Sequence, residues 1–323
     1  MKKIKVGIVG GAGYTAGELI RILIYHPEVE IIFIHSKSST GKQVAEIHSG
    51  LIGETDLQFT SELPFEKIEV LFLCLTHGES KQFIETNKIP TDIKLIDFSA
   101  DFRLDIHSDF VYGLPELQAE KIKKAIHIAN PGCFATAIQL ALLPLAKNGL
   151  LTNEIHISGI TGSTGAGVKP SETSHFSWRN NNVSVYKAFT HQHLQEIQQT
   201  FHQLQPSFNQ KINFIPMRGN FTRGILVSCY TSCSLNENDA KGLYKEFYEK
   251  SAFTFVTDKN PDLKQVVNTN KALVYLEKHN EKLFIVCVID NLLKGASGQA
   301  VQNMNLMCGL DEKTGLQLKA IGF

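Results

Sequence analysis

The 323-residue sequence predicts an α/β fold, a parallel-sheet domain carrying an inserted α+β domain with a mixed or antiparallel sheet. Three observations predict it. Over the first 130 residues, short and continuously apolar runs alternate with helical patterns, as in parallel strands joined by helical crossovers. From about residue 150, longer strand-like runs follow one another with only two helices between them, the pattern of an α+β domain. The final helical segment, 295–308, sets Ala296, Ala300, Met304 and Met307 on one face, which suits a return to the first domain.

In chain order, 4–10, 29–34, 70–75, 95–98 and 127–129 read as strands of the first domain, with helices at 18–25 and 79–87. A further helix follows Cys133 through Leu140, Leu142 and Leu143. The second domain has strands at 154–160, 212–216, 224–234, 272–278 and 282–290, and helices at 191–203 and 238–250. Gly309 is a stop signal for the last helix. The expected boundaries are therefore 1–149 with 292–323 for the first domain and 150–291 for the second.

Lysine plus arginine and aspartate plus glutamate both number 32, so the chain has no basic excess for nucleic acid or an anionic membrane surface. The basic opening Met1-Lys2-Lys3 precedes an apolar run too short for a secretory signal, and no stretch reaches the length of a membrane span. The six cysteines, at 74, 133, 229, 233, 287 and 308, show no framework spacing, as for reduced thiols in a cytoplasm. Only five arginines occur (21, 103, 179, 218 and 223); Arg103 and Arg223 lie in motif segments and Arg21 in the helix behind the glycine loop, which suits a phosphate- or carboxylate-bearing ligand.

The first strand runs into Gly10-Gly11-Ala12-Gly13-Tyr14-Thr15-Ala16-Gly17 and then a helix. Glycines in this context let the backbone approach a pyrophosphate, while the helix N-terminus offers unpaired N–H groups. Gly10, Gly11, Ala12, Gly13, Tyr14 and Thr15 are the expected cofactor contacts. An NAD-selective fold ends its second strand in an acid that binds the ribose hydroxyls. Here the strand leads instead into His35-Ser36-Lys37-Ser38-Ser39, with no acid before Glu46. Ser36, Lys37 and Ser39 suit a 2′-phosphate, hence NADP; the other reading of this loop is a solvated serine turn.

Asn130-Pro131-Gly132-Cys133 places a cysteine at the start of a helix, where the dipole and free N–H groups stabilise a thiolate. Cys133 is the candidate nucleophile, the alternative being a buried cap residue. Cys74, Cys287 and Cys308 read as buried, and Cys229 and Cys233 as structural. A nucleophile requires a base, for which His77, His191 and His193 are all candidates. The His-x-His pair lacks a third ligand at metal-like spacing, so no metal is expected.

Taken together, these stretches resemble the N-acetyl-γ-glutamyl-phosphate reductase family of arginine biosynthesis over essentially the whole chain. The resemblance is carried by residues 10–17 with Glu18-Leu19, by 97–104, by Tyr112-Gly113-Leu114-Pro115-Glu116, by 130–133 with Thr136, and by Gly165-Ala166-Gly167. It continues through His191-Gln192-His193 with Glu196-Ile197, Arg223-Gly224-Ile225, 290–296 and Gly298-Gln299-Ala300. The resemblance implies a Rossmann domain with an inserted α+β domain, and NADPH-dependent reduction of an acyl phosphate. It implies Cys133 as nucleophile and His193 as acid/base, with Arg103, His191 and Lys294 as substrate contacts and Asn291 as a cofactor contact. It also implies a small-molecule substrate; exposed strands in the second domain would suit a homo-oligomer, dimer or tetramer, and from the charge balance neither nucleic acid nor membrane is expected as partner in the cytoplasm.

The chain departs from the family pattern near the expected substrate. His-Gln-His stands for His-Arg-His, Leu194-Gln195 for Thr-Pro, Phe134-Ala135 for Tyr-Pro and Val168-Lys169 for an arginine, and 161–164 reshape a Ser-Gly-rich segment. Acetyl is the default acyl group and succinyl the alternative. Aspartate-semialdehyde dehydrogenase is the nearest competing activity, disfavoured by Pro-Gly directly before the cysteine and by 97–104. A regulatory nucleotide-binding protein would have no reason to keep Cys133, His193 and the glycine loop, and a cysteine hydrolase would not need that loop.

Overall fold

The computed structural model describes residues 3–104 and 109–322; Met1 and Lys2 of the basic opening lie outside them. It divides into two compact units, one reaching to Pro131 and including Ala296–Gln317, the other Gly132–Gly295 with Leu318 onward.

In the first unit, β1 (Ile4–Val9) leads into α1 (Tyr14–Leu23) and β2 (Val29–His35). A short helix α2 (Val44–Ile47), the edge strand β3 (Phe59–Thr60), β4 (Val70–Leu73), α3 (Glu79–Thr86) and β5 (Lys94–Asp97) follow. The unit continues through β6 (Val111–Tyr112), α4 (Pro115–Lys124) and β7 (His127–Ala129). All its strands are parallel, in the order β3-β2-β1-β4-β5-β7-β6. β4 is buried along its whole length, which explains why its sequence is an unbroken apolar run.

The second unit opens with α5 (Cys133–Lys147), followed by β8 (Ile155–Thr161), α6 (Phe176–Arg179), β9 (Ser184–Val185), α7 (His193–Leu204) and β10 (Ile212–Arg218). Then come β11 (Ile225–Ser232), α8 (Glu237–Tyr248), β12 (Thr254–Val256), β13 (Ala272–His279) and β14 (Lys282–Ile289). The sheet order is β12-β13-β14-β11-β8-β10-β9. It is mixed: β8 with β10 and β12 with β13 are parallel, the remaining pairs antiparallel. The chain returns to the first unit in α9 (Ser297–Met307), where Ser297 Oγ donates to Thr15 O at 2.7 Å and Asn303 Nδ2 donates to Gly113 O at 2.9 Å. Gly309 follows with φ of 72°, the left-handed conformation that ends the helix.

The division falls near Pro131 and Gly295, whereas the sequence reading places it at 149/150 and 291/292. The physical reason is α5. Its residues from Phe134 to Ala146 are buried all round, so the helix is a core element rather than an amphipathic cover. It packs on α7, β11, β13 and β14 of the second unit. Pro144 has no N–H to donate to Leu140 O, and that carbonyl receives the Tyr248 hydroxyl at 2.6 Å instead. The Tyr244 hydroxyl donates to Ala141 O at 2.6 Å.

Candidate active site

The sequence-derived residues fall into two groups. The glycine loop, Ser36, Lys37, Ser39 and Arg103 belong to the first unit; Cys133, His191, His193, Asn291 and Lys294 belong to the second.

In the first unit, the N–H groups of Gly10 and Gly11 both donate to His35 O, at 3.1 and 3.0 Å, which fastens the glycine loop to the end of β2. Gly10 has φ of 82°, and a Cβ there would lie 2.8 Å from the Cys74 carbonyl carbon, so only glycine fits. Helix α1 starts at Tyr14, four residues before the helix read from sequence. Its N-cap, Gly13, makes no side-chain cap, and its first turn holds no acid. An uncapped helix start behind a close-approach glycine fits the pyrophosphate of a dinucleotide. Beyond β2, Ser36 and Ser39 are buried while Lys37 is exposed.

Arg103 is buried; its Nε donates to Asn130 O at 2.9 Å and its Nη2 to Phe98 O at 2.6 Å. It thereby braces the end of the strand that leads to the cysteine. His77 serves the same loop: its Nδ1 accepts from Ala100 N at 2.9 Å, and the Asp101 carboxylate accepts from Gly78 N and Lys81 N at the start of α3. His77 thus organises the first unit.

In the second unit, Cys133 is the first residue of α5 and half-buried, with Gly132 as N-cap. His193 opens α7 and lies against Gly132, where an added Cβ would meet its ring at 2.7 Å. Of the three candidate bases, His193 and its neighbour His191 are therefore the two that share a unit with the cysteine. Glu196, one turn further along α7, accepts a hydrogen bond from Gly132 N at 2.9 Å and stands 4.0 Å from His193 Nε2. One helix thus holds both the histidine and the amide just before Cys133.

His191 packs edge-on to His193, Phe134, Tyr186 and Phe214. Burial, with Lys187 adding to it, pushes His191 down to about 4, so its ring is neutral near pH 7. Its Nδ1 accepts from His193 N at 3.2 Å, which leaves the proton on Nε2. Tyr186 is near Cys133: burial first and that thiol second push its phenol up to about 12, against the pull of Arg218. The Cys229 thiol, by contrast, is fully buried and burial holds it at about 12, in keeping with a structural role.

The turn after β14 closes the other side. The buried Asp290 carboxylate pairs with Arg223 at 3.0 Å and accepts from Asn268 N, Leu292 N and Leu293 N. This fixes the turn that ends in Gly295, whose Cα faces Cys133: an added Cβ would lie 2.8 Å from Cys133 Cβ. Lys294 beside it is completely buried. The Asn291 side chain spans two segments of its own unit, accepting from Gly224 N at 2.7 Å and donating to Thr164 Oγ1 at 3.0 Å. Sequence reasoning did not single out Glu196, Tyr186 or Arg218, which the structure brings to this neighbourhood. For Glu196 the signal was its spacing of three from His193 on a helix; for the other two there was none.

Residues 5–125 match the family described as semialdehyde dehydrogenase, NAD binding domain, and residues 133–291 match semialdehyde dehydrogenase, dimerisation domain. Among similar proteins, the N-acetyl-gamma-glutamyl-phosphate reductase of Azobacteroides pseudotrichonymphae genomovar. CFP2 is 64% identical over 99% of this chain and 100% of its own. The protein of the same name from Parabacteroides distasonis is 59% identical with the same coverage. Among solved structures, aspartate semialdehyde dehydrogenase II of Vibrio cholerae, complexed with ASA, matches with a TM-score of 0.75 at 18% identity, covering 96% of this chain and 99% of that one. Aspartate semialdehyde dehydrogenase with NADP from Candida albicans has a TM-score of 0.71 at 15% identity, covering 95% and 99%. At such identity the likeness shows the shared two-domain fold.

Proposed function

The chain belongs to the N-acetyl-gamma-glutamyl-phosphate reductase family, and from that premise we propose that it reduces N-acetyl-γ-glutamyl phosphate to N-acetyl-glutamate 5-semialdehyde and phosphate, with NADPH as reductant. The observation that carries this reading is His193 seated against Gly132, beside a cysteine at the N-terminus of α5. Cys133 Sγ attacks the γ-acyl carbon, and the carbon–oxygen bond to phosphate breaks to leave a thioester. When bound, NADPH supplies the hydride that reduces this thioester to a thiohemiacetal. His193 handles the proton of the thiohemiacetal oxygen as that intermediate collapses to the semialdehyde and the free thiolate. His191, neutral, accepts from the His193 amide and fixes the start of α7. Lys294 and Arg103 are read as substrate contacts. The glycine loop with α1 would hold the dinucleotide, and Ser36, Lys37 and Ser39 its 2′-phosphate. Asn291 is read as a cofactor contact.

The place of action is the cytoplasm, which suits six free cysteines. The protein is read as a homo-oligomer, dimer or tetramer. Phe176, Val183, Val185 and Phe189 of the second unit are exposed, and that unit matches a dimerisation domain. Among the described residues no helix is long and apolar enough to cross a membrane.

The test is NADP reduction in the reverse direction with N-acetyl-glutamate semialdehyde and phosphate, against the N-succinyl and aspartate semialdehydes. The acetyl compound should be preferred, with NADP favoured over NAD. Cys133→Ser should abolish turnover while leaving NADPH binding intact. Better turnover of aspartate semialdehyde, or activity in the serine variant, would overturn the reading.

A further inference from the structure

Arg218 is the last residue of β10 and half-buried, and its guanidinium carbon lies 4.8 Å from the centroid of the Tyr186 ring. Two of the other arginines have acid partners, Arg21 with Glu18 and Arg223 with Asp290. Arg218 has none among the described residues, and its Nε is buried with no hydrogen-bond partner there. Its immediate neighbour is a second cation. Arg179 donates to Arg218 O at 2.6 Å and to Ser184 Oγ at 2.8 Å, and its other partners are the carbonyls of Thr173 and Asn182. Arg218 and Ser184 face each other across the β9–β10 pair. The donors of Arg179 are taken up by these oxygens, whereas the Arg218 guanidinium, with its buried Nε unpartnered among the described residues and no carboxylate beside it, is the seat for an anion.

That seat is joined to the reacting pair by a row of rings. Tyr186 packs against His191 at 5.8 Å between centroids, His191 against His193 at 4.5 Å, and His193 rests on Gly132. Resting on the reading of Cys133 and His193 as the reacting pair, we propose that Arg218, steadied on the Tyr186 ring, receives the α-carboxylate of the acyl-glutamyl substrate. The substrate carries two anionic ends. The phosphate is bonded to the carbonyl carbon that Cys133 attacks and stays beside the thiol, whereas the carboxylate lies several carbon–carbon bonds away. Arg218 sits on the Tyr186 ring, two ring contacts from His193 along this row, and so matches the distant end. A planar guanidinium takes a carboxylate through paired N–H donors, which also orients the chain of the substrate.

The experiment is steady-state kinetics of the full chain in the reverse direction, comparing Arg218→Gln and Arg218→Lys with the unmodified enzyme. Arg218→Gln should raise KM for N-acetyl-glutamate semialdehyde about tenfold to a hundredfold, the scale of a lost charge-assisted hydrogen bond. KM for inorganic phosphate and for NADP should hold, and Arg218→Lys should fall between. A second measurement is independent of turnover: N-acetyl-glutamate should protect Cys133 from iodoacetamide in the unmodified enzyme and much less in Arg218→Gln. A rise in KM for phosphate instead would give Arg218 to the other end of the substrate and overturn the proposal. So would unchanged protection by N-acetyl-glutamate together with an unchanged semialdehyde KM. If the unmodified enzyme does not oxidise the semialdehyde, it is the proposed reaction that fails, and the protection experiment alone then decides whether Arg218 receives the α-carboxylate of an acyl-glutamate.

Discussion

Glu196 accepts the amide hydrogen of Gly132 at 2.9 Å while lying 4.0 Å from Nε2 of His193, so one buried carboxylate braces both the residue before Cys133 and the histidine. Its two contacts can be separated by substitution. Glutamine keeps an acceptor for the Gly132 amide and removes the charge; alanine removes both. Glu196→Ala should lower kcat by about ten- to a hundredfold, below the loss expected when an acid/base residue itself is removed. Glu196→Gln should recover much of that if bracing the amide matters most. KM for the semialdehyde should move little in either. Equal kcat in alanine and unmodified enzyme would dismiss the positioning role.

Gly132→Ala tests the closeness of the histidine. The added methyl would meet the His193 ring at 2.7 Å, and Gly132 has an ordinary extended φ of −69°, so the backbone itself tolerates alanine. The ring must therefore move. Turnover should fall on the order of a hundredfold, the usual contribution of a positioned acid/base group, with only a small change in melting temperature. Full activity in this variant would mean that His193 does not work from its observed place.

How much of this was legible in the sequence depends on whether the signal is local. β1 into the glycine loop is a run of adjacent residues, and the strand, turn and helix appear as read, with the helix starting earlier. Edge strands such as β3, β6 and β9, each two residues long, carry no period of their own. The apolar run of α5 says that the helix is buried but not against which sheet, and so the boundary was read too late in the chain. Arg218 and Tyr186 are brought together by the antiparallel pairing of β9 with β10, a long-range event that no spacing reveals. Glu196 was visible as a family-like residue, yet its bond to Gly132 joins α7 to the start of α5.

Tyr248→Phe tests how α5 accommodates its internal proline. Pro144 leaves Leu140 O without its usual helical donor, and the Tyr248 hydroxyl fills the place at 2.6 Å. Removing that hydroxyl strands a buried carbonyl, which costs about 1–3 kcal/mol. Chemical denaturation should show a stability loss of that size with the slope unchanged. Stability equal to that of the unmodified protein would indicate that the carbonyl finds another donor.

Acid should weaken the folded protein through its buried histidines. His191 is held down to about 4, first by burial and then by Lys187, against 6.5 for an ordinary histidine. The unfolded chain therefore binds a proton that the folded chain refuses between about pH 6.5 and pH 4. The contribution is fully present above pH 6.5 and is lost progressively as the pH falls toward 4; a shift of this size corresponds to about 3 kcal/mol at most. Burial also lowers His26, His35 and His127, which adds to the same trend. Buried Asp97 works against it: burial raises its carboxyl, so protonation at low pH favours the folded state. Melting temperature should decline as pH is lowered through this window. His191→Asn, whose side chain can still accept from the His193 amide but takes up no proton, should make the decline shallower. A slope unchanged by that substitution would assign the acid sensitivity to groups other than His191.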